Sequence, residues 1–233
     1  MTLYAVDGPL TMKIANLNLW IIGFCLQAAL LVALLRHKLA FRIPIFTSLI
    51  AFYIVRAGAL FILSSHVTRK DYGMLYEALS VVDLVFQILV AAEIFACLAR
   101  QPCKPAARGT MTRIAMIPVG IALAGAVAFM TPEVGLFRTD RGVVFVTVLM
   151  LLLLIWTFRT GAGIPRQMAT GFVVYGCSVL VAGVARNYAV AHRSRAMLAG
   201  SSYAASGIYI CIVIYWLVAL RVRDNTRPGL WLS

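Results

Sequence analysis

VTVLMLLLLIW, residues 146–156, decides the fold class. A strand of a membrane barrel would alternate apolar with polar side chains, and this stretch does not. Extended to 142–158, it is an uncharged run just long enough for a helix to cross a hydrocarbon core of about 30 Å. Six further apolar runs have the same character, at 17–35, 43–63, 75–98, 114–130, 168–190 and 199–220. The sequence therefore predicts an all-α integral membrane protein, a bundle of seven transmembrane helices. It divides into a short outer segment 1–16, a membrane domain 17–220 and a short basic cytoplasmic tail 221–233. The links between the runs leave no room for a soluble domain.

Composition points the same way. Of the 233 residues, 62% are hydrophobic and 12% charged, the latter about half the share of a soluble protein. One water-soluble core of this size could not hide so much apolar surface. Disorder, a collagen-like fibre and a small disulfide scaffold are excluded. The net charge of +13 fits basic loops beside anionic lipid. No zinc-finger spacing or long basic arm argues for nucleic acid. The leader MTLYAVDGPLTMK carries an early Asp7 and a single basic residue, Lys13. It makes a poor cleavable signal, so the first helix is expected to stay in the mature chain.

Orientation follows from the basic residues. With the N-terminus outside, the inner segments hold twelve Lys and Arg and the outer ones seven. The excess favours N-terminus outside and C-terminus inside, in the cytoplasmic (inner) membrane of a bacterium. Trp20, Trp156 and Trp216 fall near the ends of predicted helices, where their rings suit the headgroup layer.

The informative residues are polar ones inside the apolar runs. Arg56 and Asp83 lie at similar depth in consecutive helices, and a pair between them would relieve two desolvation penalties. Such a pair serves a gate, proton path or ligand site, or is simply structural. Gln87 shares the Asp83 face of the third run, four residues on. Glu93 points about 80° away from Asp83 and Glu77 about 120° to the other side, counting 100° per residue. Three polar directions on one helix call for protein around most of it. Glu93 is the best acidic candidate for carrying a proton. Arg186, in the outer part of the sixth run, either snorkels or pairs with Glu77. Tyr53 and Tyr209 lie closest to mid-membrane. With Arg56, Asp83 and Gln87 they either line a small polar cavity or pack as satisfied aromatics. Small residues at Gly171, Gly176 and Gly183, and in AGSSYAASG at 199–207, favour close helix approach.

No residues point to a cofactor or metal. The five cysteines form no CxxC, and the three histidines lie outside the helix centres. HExxH, GxSxG and a phosphate-binding glycine loop are absent. The layout resembles microbial rhodopsins in architecture alone. All four lysines, Lys13, Lys38, Lys70 and Lys104, lie outside the predicted spans, so a retinal Schiff base is excluded. The leading expectation is a noncatalytic sensor or accessory module that binds a small apolar ligand or a partner membrane protein within membrane lipid. A small-solute or proton-coupled transporter and an intramembrane enzyme acting on a lipid or isoprenoid are the alternatives, and the sequence leaves open whether the protein is an enzyme.

Overall fold

The computed structural model describes residues 10–63, 68–99, 139–160 and 163–224, together with Ala122, Ala124 and Gly125. Among the described residues the structure is all-helical. The long helices are α1 (Leu10–Arg36), α2 (Pro44–Leu63), α3 (Arg69–Ala99), α4 (Thr139–Thr160), α5 (Gly163–Ala191) and α6 (Arg195–Asp224). All six are long and apolar enough to cross a membrane. In hydrocarbon a chain must satisfy its backbone groups internally, and a helix does so within a single segment. The run expected at 114–130 lies outside the described residues, apart from Ala122, Ala124 and Gly125, which are helical. The third run extends further than its apolar residues suggest, to Arg69, and opens on Arg69 and Lys70, both good helix formers.

Local sequence sets the breaks. After Arg36 the chain turns through Lys38, whose φ of 54° is left-handed, into a short 3-10 turn at Leu39–Phe41. Pro44 then occupies the first turn of α2, where its missing N–H is no loss. Further along the chain α5 closes in a Schellman arrangement. The Ser194 N–H donates to the Ala189 carbonyl and the Arg193 N–H to Val190, with Arg193 at φ 51°. Ser194 Oγ then accepts from the Met197 N–H at 3.4 Å and caps α6.

The chain forms two compact units, residues 1–68 with 181–233, and residues 69–180. The first holds α1, α2, α6 and the end of α5. Trp20 of α1 stacks on Phe61 of α2 at 4.6 Å between ring centroids. Tyr53 and Phe46 of α2 meet Tyr209 and Trp216 of α6 edge-on, at 6.3 and 5.1 Å. The order of these pairs makes α2 antiparallel to both neighbours, so α1 and α6 run parallel. Trp216 is thus a core residue at 2% exposure rather than one that faces the headgroups.

In the second unit Leu84 of α3 lies over Gly142 of α4, and Phe95 sits 5.5 Å from Trp156. Residue number rises together along both helices, so α3 and α4 are also parallel. Gly176 of α5 lets Thr147 of α4 lie directly against its backbone; a Cβ there would overlap the Thr147 side chain. The expected close approach is found at Gly176. A Cβ at Gly183, Gly200 or Gly207 would meet nothing within 4 Å.

Candidate functional site

Most buried hydroxyls are spent on their own helices. Thr47 Oγ1 donates to the Ile43 carbonyl at 3.0 Å, Thr147 to Val143 at 2.6 Å and Thr157 to Leu154 at 2.7 Å. Such back-bonding satisfies a hydroxyl in an apolar surrounding and leaves its proton unavailable for other chemistry.

Among the described residues the buried acids, Asp83 and Glu93, lie in the second unit. Asp83 and Gln87 are both buried on one face of α3, and Gln87 Nε2 donates to Asp83 Oδ1 at 3.0 Å. The i,i+4 spacing read from sequence is the cause of this bond. Glu93, ten residues further along α3, is 8% exposed and has interaction partners of its own. Glu77, by contrast, faces outward. Three polar directions on α3 therefore resolve into two buried ones and one exposed one.

The first unit brings together Tyr53 and Tyr209, as their mid-membrane positions suggest, and adds a residue that sequence reasoning missed. Gln27 of α1 is 7% exposed, and its Nε2 donates to Tyr209 Oη at 2.6 Å. Its Oε1 is buried and has no hydrogen-bond partner. Gln27 lies nine residues before the end of α1 and Tyr53 nine after the start of α2. At about 1.5 Å per residue both sit roughly 14 Å from that end, near the middle of the hydrocarbon core. The overlooked signal was a solitary amide in the centre of an apolar run.

This polar layer divides the first unit into unequal halves. Towards Arg36 and Pro44 the helices are packed solid, by Leu30, Leu34, Phe46, Leu49, Ile50, Val213 and Trp216. On the other side none of residues 18–26 of α1, 54–63 of α2 or 196–211 of α6 is buried. Arg56 and Arg186 belong to this unit and are half-buried. Arg56 has interaction partners, whereas the buried Nε of Arg186 makes no hydrogen bond.

Among the described residues no three of His, Cys, Asp and Glu come together to hold a metal ion. Cys25, Cys177 and Cys211 are exposed on helix faces and Cys97 is half-buried, all as free thiols. No protein-family model, curated protein or solved structure matches the chain, so its chemistry rests on its own residues.

Proposed function

We propose that this protein is a noncatalytic sensor or accessory module that binds a small apolar ligand, or a partner membrane protein, within a bundle of seven transmembrane helices. The reading draws on how intramembrane polar groups are used. A transport path needs polar side chains addressed to a water-filled lumen. Here Asp83 is held by Gln87, and Thr47, Thr147 and Thr157 by helix carbonyls. That economy suits a closed bundle with a blind pocket.

The count of seven is supported by parity. Spans that follow one another without an intervening crossing run antiparallel, yet α3 and α4 are parallel. An odd number of crossings is needed between Ala99 and Thr139, and 114–130 supplies one. The parallel α1 and α6 give the same parity for the whole chain. The excess of inner basic residues then orients the N-terminus outside and the C-terminus inside, in a bacterial cytoplasmic membrane.

Gentle extraction into native nanodiscs followed by native mass spectrometry tests the function. The expected result is a co-purifying lipid-soluble ligand or membrane partner whose removal lowers thermal stability. A ligand-free monomer that no lipid extract stabilises would overturn the reading. One observation favours the runner-up, proton-coupled transport: Glu93 is a buried acid on a membrane helix. If Glu93→Gln abolished a proton-driven solute flux in proteoliposomes, transport would replace the binding reading.

A further inference from the structure

We infer that the turn between α1 and α2 is a docking surface for anionic phospholipid, with Phe41 inserted below the headgroups and Arg36, Lys38 and Arg42 on the lipid phosphates. The inference is independent of the proposed binding function, because it concerns the end of this hairpin and not the interior of the bundle.

The spanning part of α1 ends at Arg36 and that of α2 begins at Pro44, so residues 37–43 stand where the chain leaves the hydrocarbon. The turn is pinned in place. It packs on both helices, and its Leu39 and the following Ile43 are buried. The Arg42 and Ile43 N–H groups both donate to the Leu39 carbonyl, at 2.8 and 2.9 Å, and the Phe41 N–H donates to Lys38 at 3.3 Å. Between those two apolar anchors Phe41 is held outward at 87% exposure. Among the described residues no ring or cation covers it. Phe158, also exposed near a helix end, differs in having the Arg166 guanidinium 5.3 Å over its ring. An uncovered phenyl ring is costly in water, and at the membrane boundary lipid relieves that cost.

The charges select the lipid. Arg36, Lys38 and Arg42 flank Phe41 in sequence and all three are exposed. No Asp or Glu occurs between Asp7 and Asp71, so neither helix of the hairpin nor the turn supplies a countercharge. The phosphates of an anionic leaflet do, and basic residues beside a span bind such a leaflet in proportion to their number. Lys38 adds a second kind of observation. It adopts φ 54° and ψ 18°, the left-handed conformation, just after the end of α1. Glycine is the usual residue at such a position, because a Cβ is strained at positive φ. A lysine that bears this strain places a cation beside the exposed ring, and phosphate contact gives the cation its use. A purely apolar anchor would need the ring alone.

The test uses the full chain in nanodiscs of equal phosphatidylglycerol and phosphatidylcholine, with one lipid at a time carrying brominated acyl chains. Phe41→Trp puts an indole at the turn, and its emission is read as the difference from the unsubstituted chain in the same discs. The added indole is expected to be quenched by brominated lipid and shielded from aqueous acrylamide. Brominated phosphatidylglycerol should quench it about threefold more than brominated phosphatidylcholine at low salt. Arg36→Gln, Lys38→Gly and Arg42→Gln together should bring the two lipids level. Lys38→Gly alone should raise thermal stability in phosphatidylcholine discs, by relieving the positive φ, and still lower the phosphatidylglycerol preference. A lost preference is then not the mark of a damaged fold. An indole quenched by acrylamide and not by lipid, equal quenching by both lipids, or a phosphatidylglycerol preference that survives the triple substitution would overturn the inference.

Discussion

A carboxylate or amide in mid-membrane is costly in proportion to what it lacks. Asp83 meets Gln87 on its own helix, but one neutral amide does not balance a buried charge. From sequence, the expected source of the opposite charge is Arg56, at similar depth in the preceding apolar run. Arg56→Met alone should therefore destabilise the protein by about 2 kcal/mol or more, by stranding Asp83. Adding Asp83→Leu should return much of the loss, with a coupling of about 1 kcal/mol or more in a double-mutant cycle followed by reversible unfolding. Strictly additive losses would dissolve the pair and leave both residues with other roles. The same logic separates Gln27 from the threonines. A hydroxyl can turn to its own helix, whereas an amide has two ends and the helix backbone offers no free donor to its oxygen. That asymmetry makes Gln27 the informative polar residue of the first unit.

Helices in lipid gain little from the hydrophobic effect between them, so close fit decides their packing. Gly176 and Gly183 are both glycines of α5, and sequence treats them alike. The structure separates them: Thr147 lies on Gly176, and nothing lies within 4 Å of Gly183. Gly176→Ala is expected to cost about 1–3 kcal/mol by overpacking against Thr147. Thr147→Ala should return part of that loss, because it removes two of the three atoms in the way. Gly183→Ala should be neutral or stabilising by up to about 1 kcal/mol, since Ala is the better helix former. Equal losses at the two positions, measured by the same unfolding assay, would remove the close crossing of α4 and α5. A heptad or small-residue pattern cannot make this distinction, because it records which residues allow approach and not which helix takes the opportunity.

At the scale of the whole molecule, the apolar runs made the membrane class and six of the spans legible, because length and hydropathy are local properties of the chain. The Asp83–Gln87 bond was legible for the same reason, being fixed by a spacing of four. Gln27–Tyr209 was not, since its partners are separated by 182 positions and joined only by helix adjacency. Trp216 was misplaced on the headgroups because position along a helix does not reveal the direction faced. Parity, which sequence cannot express, emerges once neighbours are known. Two parallel pairs, α1 with α6 and α3 with α4, each demand an odd number of crossings between their members. The proposal that 114–130 is the missing crossing can be checked directly. In a background with the five cysteines replaced, Thr110→Cys and Thr131→Cys should label from opposite sides of sealed vesicles, Thr110→Cys from the inner side. Thr2→Cys and Ser233→Cys should likewise label from opposite sides, the former from outside. If positions 110 and 131 shared a side, the parallel packing of α3 on α4 could not be reconciled with both spanning the bilayer, and the seven-helix bundle would fall with it. If the sides were opposite but reversed, the helix count would stand and only the orientation drawn from the basic loops would have to be exchanged.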